Sequence, residues 1–104
     1  MLWVIATITT TPGNAQNVLD ALLEVAPTVQ QEEGCLRYQP AIDAPRGLTH
    51  DDTARSDTVT VIETWSSRAA LEAHMDTPHM ARFRDATADW VTHADIRLID
   101  PVDA

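Results

Sequence analysis

Lysine is missing altogether from this 104-residue chain, and its seven basic residues, all arginine, face sixteen Asp and Glu for a formal charge of −9. Phosphate backbones are bound by clustered positive charge that displaces counterions, so nucleic acid is excluded as the expected partner. The acidic charge reads as a solvated, self-repelling surface. Cysteine occurs once: Cys35 has no internal disulfide partner, and early in a strand it reads as a small buried apolar group, not a nucleophile. Glycine occurs three times, never in a G-x-G-x-x-G or P-loop arrangement, so a nucleotide or flavin held by a standard motif is not expected. No apolar run approaches the roughly 20 residues of a membrane span. The start, Met1 to Ala6, lacks a basic leader and alternates like a strand, so the expected location is cytoplasmic, with no membrane partner. The length predicts one domain over residues 1–104, burying roughly two-thirds of its unfolded surface.

What is present is periodicity. Leu2, Val4, Ala6 and Ile8 fall on one side of a first strand and Trp3, Ile5, Thr7 and Thr9 on the other, and both faces read as buried. After a Thr11-Pro12-Gly13-Asn14 turn, with Asn14 as helix cap, Val18, Leu19, Leu22, Leu23, Ala26 and Val29 recur at helical spacing. Pro27 is expected to bend or divide this helix. Glu32-Glu33-Gly34 ends it, glycine taking the left-handed conformation. Cys35 to Ile42 is a second strand, with Pro40 placing part of it at an edge. Asp43 to Asp57 is either a functional flap or a mobile loop, the mobile reading being favoured. Thr58 to Trp65 is a third strand, with Val59, Val61, Glu63 and Trp65 on one side. Two serines then cap a helix from Arg68 to Met75 that carries Leu71 and His74 on one face. Thr77-Pro78 starts a third helix, where Met80, Phe83, Thr87 and Trp90 form a stripe. Asp95 to Asp100 is the last strand.

Right-handed crossovers in this order give a ferredoxin-like α+β sandwich: a four-stranded antiparallel sheet with strands one and three in the middle and all helices on one face. Trp3, Ile5 and Ile62 then require a lid on the other face. A second copy is the simplest lid, which predicts a homodimer packed sheet to sheet as a dimeric α+β barrel.

Four pieces of sequence carry a family resemblance: Glu33-Gly34-Cys35-Leu36-Arg37-Tyr38, Glu63-Thr64-Trp65, Ala70-Leu71-Glu72-Ala73-His74 and Thr77-Pro78-His79-Met80. Together they resemble the antibiotic biosynthesis monooxygenase domain family, most closely its quinol monooxygenase-like branch. The resemblance implies small dimeric α+β barrels and a cofactor-independent oxygenase acting on a small aromatic such as a quinol or polyketide phenol. It also places Trp65 at the strand end that lines the pocket in several relatives, and His74 at a histidine frequent in the quinol-oxidising branch. The haem-degrading branch fits less well, because Arg84 and Ala6 stand where that branch has an iron-binding histidine and a pocket asparagine, and a guanidinium is no neutral nitrogen ligand.

An oxygenase without a cofactor takes its electrons from a substrate that becomes a good donor once deprotonated. A histidine, ordinarily titrating near pH 6.5, suits that proton transfer, and an apolar pocket keeps water from the anion. His74 is the first candidate for base. Its alternative is a helix residue bonded to a nearby carbonyl or carboxylate. Trp65 supplies either a flat wall for an aromatic substrate or core packing. Glu63 either points into the same space, where burial raises its pKa, or pairs with an arginine, the pairing being favoured. Tyr38 reads as a donor to a quinol oxygen or as a core or interface tyrosine, and Phe83 and Met80 as pocket floor or core. His50-Asp51-Asp52, His79 and His93 show no recognised ligand spacing, so no metal is expected. The competing functions are a non-catalytic dimer that binds a small aromatic ligand and an accessory dimer with no small-molecule site.

Overall fold

The computed structural model describes residues 1–49 and 54–103. The chain runs β1 (Leu2–Thr10), α1 (Ala15–Gln30), β2 (Cys35–Ala41), β3 (Thr58–Trp65), α2 (Arg68–Met75), α3 (Pro78–Thr87) and β4 (Val91–Ile99). The four strands form one antiparallel sheet in the order β2-β3-β1-β4. Strands β1 and β3 are therefore central, as the crossovers predict, and Pro40 sits on edge strand β2, where its missing amide breaks no inner ladder.

Register decides which residues meet beneath the helices. Val4 lies opposite Glu63 on one side and Leu98 on the other, Ala6 opposite Val61 and Ile96, and Tyr38 opposite Glu63. Val18, Leu22, Ala26 and Val29 of α1 are buried, and with Val4, Ala6, Ile8, Val59 and Val61 they belong to one apolar core. Pro27 does not divide α1, which is continuous from Ala15 to Gln30. A proline inside a helix costs about 3 kcal/mol, whereas burying each Val or Leu contributes about 1.5–3 kcal/mol. Three such residues hold α1 together, and the proline ring lies on its exposed side.

The second face of β1 is open within one chain, as the expected need for a lid requires: Trp3 is 42% exposed, as is Ile99 beside it. Two further expectations are corrected. The last strand begins at Val91, not Asp95: Thr10 pairs with Val91 past a bulge, and the Thr11 amide donates to the Trp90 carbonyl. Trp90 consequently lies beyond α3 and does not extend its stripe. Asn14 does precede α1, but its side chain makes no capping bond, being engaged with Thr11 and Asn17 instead.

Both helix starts near the site do carry their caps. Ser67 accepts from the Ala70 amide at 3.1 Å, and Thr77 accepts from the Met80 amide at 3.4 Å with Pro78 at the first helical position. The flap-or-mobile alternative for Asp43–Asp57 rests in part on residues 50–53, which lie outside the described residues. The flanking parts of that segment are tied together by Arg55, which donates to both carboxylate oxygens of Asp43 at 2.7 and 2.9 Å.

Candidate functional site

Between the helix-covered sheet face and helices α2 and α3 lies a cavity of about 120 Å³. Tyr38, Glu63 and His74 are its uncharged or acidic polar members, Arg84 is its cation, and Met75, Met80 and Phe83 contribute to its apolar wall. Five of the residues weighed from sequence as pocket members, His74, Glu63, Tyr38, Phe83 and Met80, thus meet in one place. Trp65 does not line it. The indole is wholly buried behind the site, 4.8 Å from the His74 ring between centroids and tilted by 36°, and its Nε1 donates to Glu63 Oε1 at 2.9 Å.

Glu63 comes from β3 and Tyr38 from its cross-strand partner on β2. His74 comes from the last turn of α2 and is 2% exposed. Two local devices hold it. Thr77 donates its hydroxyl to the His74 carbonyl at 2.9 Å while capping α3, which fixes one helix against the next. Gly34, at φ +82°, accepts from the Ser66 amide at 2.8 Å, and a Cβ there would come within 2.5 Å of Ala70 Cβ. Only glycine lets the α1–β2 turn approach α2 this closely.

That turn delivers a residue the sequence did not single out as functional. Glu32 Oε2 lies 2.9 Å from His74 Nδ1 and 2.8 Å from His79 Nε2. A carboxylate only accepts hydrogen bonds, so both facing ring nitrogens carry hydrogen. In the neutral ring His74 Nε2 is then the nitrogen with a lone pair, and among the described residues it has no hydrogen-bond partner in the protein. His74 is thus bonded to a carboxylate, as its structural alternative has it, and it also borders the cavity.

Burial raises the Glu63 carboxyl from 4.5 to about 7, with the indole N–H opposing the rise and the charge of Glu32 adding to it. The favoured arginine pair is not what this carboxyl makes: among the described residues its partner is Trp65. Burial, followed by the charges of Glu63 and Glu32, pushes the Tyr38 phenol up, so its hydroxyl stays protonated as a donor. Burial also raises the half-buried Cys35 thiol, against a nucleophilic role.

His79 and His74 stand on different helices, and Glu32 precedes both in the chain by a whole β-hairpin, so no sequence spacing relates the three. Folding brings their ligand-capable atoms within 4.8 Å of one another. Of the other histidines considered for a metal, His93 is exposed on β4, and His50 with Asp51 and Asp52 lies outside the described residues.

Residues 1–86 match the family model described as antibiotic biosynthesis monooxygenase. The chain belongs to that family. It is 43% identical over 103 residues to "Probable quinol monooxygenase YgiN" of Escherichia coli strain K12, an alignment covering 97% of this chain and 98% of that one. Its fold is similar to that of PA3566 from Pseudomonas aeruginosa, with a TM-score of 0.80 at 31% identity over 98% of this chain and 94% of the other. A further crystal structure, of an antibiotic biosynthesis monooxygenase, gives a TM-score of 0.79 at 29% identity over 99% and 100% of the two chains. The family's ferredoxin-like sheet and helices are those described above. Among the described residues no helix is long and apolar enough to cross a membrane.

Proposed function

We propose that this chain is a monooxygenase of an electron-rich aromatic, a quinol or polyketide-like phenol, acting as a cytoplasmic homodimer without a bound prosthetic group. The observation that carries this reading is the meeting of His74, Glu63 and Tyr38 in one largely apolar cavity, with His74 held by Glu32. Family membership and the similarity to YgiN support the same reaction class.

In this reading a substrate hydroxyl gives its proton to His74 Nε2. The resulting imidazolium is stabilised by the Glu32 carboxylate at Nδ1, as a buried carboxylate orients a catalytic histidine elsewhere. The Tyr38 hydroxyl donates to the phenolate oxygen, and the apolar wall keeps water from the anion. Dioxygen is the oxidant. A quinol plus O₂ gives a hydroxyquinone plus water, with all four electrons drawn from the substrate and one oxygen atom inserted.

The cavity, at about 120 Å³, is close to the ~150 Å³ apolar cavity that takes up benzene in another protein. One ring fits. A fused bicycle requires Met75 and Met80 to swing aside, which their flexible thioether chains permit. The small size favours a one-ring ligand, and the second reading is a dimer that binds such an aromatic without turnover. Oxygen uptake with monocyclic and bicyclic quinols, followed by product mass, separates the two: turnover with an added oxygen atom supports the oxygenase, and tight binding without turnover supports the binding dimer.

The homodimer reading is supported by the open sheet face, where Trp3, Ile5, Ile62 and Ile99 are half-buried or exposed. A sheet of this kind with one apolar face uncovered calls for a partner surface.

A further inference from the structure

We propose that Glu32, His74 and His79 form a binding site for a divalent transition metal of the zinc class. Two imidazole nitrogens and one carboxylate oxygen are the donor set such ions take, with a fourth position left for water or another ligand. The three atoms, His74 Nδ1, His79 Nε2 and a Glu32 oxygen, converge within 4.8 Å of one another.

The convergence is built by the fold. The ligands come from the α1–β2 turn, from α2 and from α3, and the Gly34 turn and the Thr77 bridge hold those elements together. Burial favours a site over a chance surface cluster: the side chains of His74, Glu32 and His79 are 2%, 13% and 17% exposed. Among the described residues no arginine pairs with Glu32, and the chain has no lysine to compete for it.

The fit needs the three side chains to shift. Zinc sits ~2.0–2.1 Å from nitrogen and ~2.0–2.2 Å from oxygen, so tetrahedral ligand atoms lie about 3.3–3.4 Å apart. Glu32 therefore backs away by about half an ångström from the 2.8 and 2.9 Å now seen, and the two histidine nitrogens, within 4.8 Å of one another, draw together by about an ångström or more. When the metal enters, the hydrogen each ring now donates to Glu32 moves to the opposite ring nitrogen, so both imidazoles stay neutral and bind through the freed lone pair.

Occupancy has a consequence for His74. With the metal on Nδ1, the neutral ring carries its hydrogen on Nε2, and the nitrogen that the oxygenase reading uses as proton acceptor becomes a donor. A bound metal therefore blocks proton acceptance there. This consequence rests on the oxygenase reading; the metal site does not.

The test is calorimetric titration of the metal-free protein with zinc chloride, repeated with Glu32→Gln, His79→Gln and Cys35→Ser after circular dichroism has confirmed their folds. Cobalt absorption in the visible region reports coordination geometry independently. The expected result is one zinc per chain, at least tenfold weaker binding in Glu32→Gln and His79→Gln, and unchanged binding in Cys35→Ser. No binding by wild type, equal binding by Glu32→Gln and His79→Gln, or loss of binding in Cys35→Ser overturns the site. Oxygen uptake in the same samples is a separate readout. A protein active in chelator that binds no zinc overturns the metal site and leaves the oxygenase reading standing, whereas zinc bound through the trio by a protein inactive in chelator supports the site and removes that reading.

Discussion

Trp65 donates its indole N–H to Glu63 at 2.9 Å while its ring lies 4.8 Å from that of His74. One wholly buried side chain thus braces both titratable groups at the back of the cavity. Replacing it tests this bracing without emptying the space: Trp65→Phe keeps an aromatic ring and removes the donor. We expect a stability loss of about 1–3 kcal/mol from the lost buried bond together with partial repacking. The Glu63 carboxyl should titrate above its wild-type position, because the N–H is the contact that lowers it. Urea unfolding and carboxyl NMR titration measure the two effects. An unmoved Glu63 titration contradicts the bracing role.

Glu63 links stability to pH. Its folded-state carboxyl is raised from 4.5 to about 7, so between those values the folded chain holds a proton that the unfolded chain has lost. Stability from this group is full below pH 4.5 and is lost as pH rises through about 7. At 1.36 kcal/mol per pKa unit the loss is about 3 kcal/mol. Burial is the leading cause, and Glu32, Cys35, Tyr38, His74 and Arg84 are the titratable or charged groups around it. Glu63→Gln lacks this titration. Urea unfolding at pH 4.5 and pH 8 should therefore show wild type losing about 3 kcal/mol relative to the variant, and parallel pH curves for the two proteins contradict the account.

Gly34 sets the approach of the α1–β2 turn to α2. Gly34→Ala combines a positive φ with a Cβ placed 2.5 Å from Ala70 Cβ and 2.7 Å from Ser66 Oγ. We expect at least about 1–3 kcal/mol of destabilisation from the backbone strain, with displacement of Glu32 from His74 seen as a changed His74 imidazole resonance. Gly13, which also has φ +82° but no atom within 4 Å of an added Cβ, is the control, since Gly13→Ala adds strain without collision.

The layout of the fold was legible because apolar period and turn chemistry agree element by element. Leu2 to Thr9 alternates, Ser67 and Thr77 sit where caps belong, and Pro40 marks the edge strand. The errors have local causes. Pro27 carries a strong breaking signal that the buried Val18, Leu22 and Val29 override, and Val91 to Ala94 join β4 because β1 extends far enough to pair with them. At the site, His74, Glu63, Tyr38 and Phe83 are near one another in the strand and helix pattern. Trp65 shares a strand face with Glu63, yet the strand end places it behind the cavity. Glu32 and His79 were illegible, because their relation to His74 depends on how closely a turn and two helix ends pack, which no spacing in the chain encodes.

The open face of the sheet predicts self-association. Trp3 and Ile99 lie side by side on it, each 42% exposed. Sedimentation equilibrium at micromolar concentration should give about twice the 11.5 kDa chain mass, and Trp3→Asp should shift it toward the monomer. A wild-type particle at the mass of one chain contradicts the dimer.

The most direct test of the central claim is oxygen consumption with a monocyclic and a bicyclic quinol in chelator, comparing wild type with His74→Ala and Glu32→Gln against spontaneous oxidation. The account predicts a wild-type rate well above baseline and a product that carries one oxygen atom more than the simple quinone formed by spontaneous oxidation. It predicts near-complete loss in His74→Ala and a fall of up to about 10⁴-fold in Glu32→Gln, the order seen when a catalytic histidine loses its orienting carboxylate. A wild-type rate equal to the spontaneous one, or a rate that survives in His74→Ala, contradicts it.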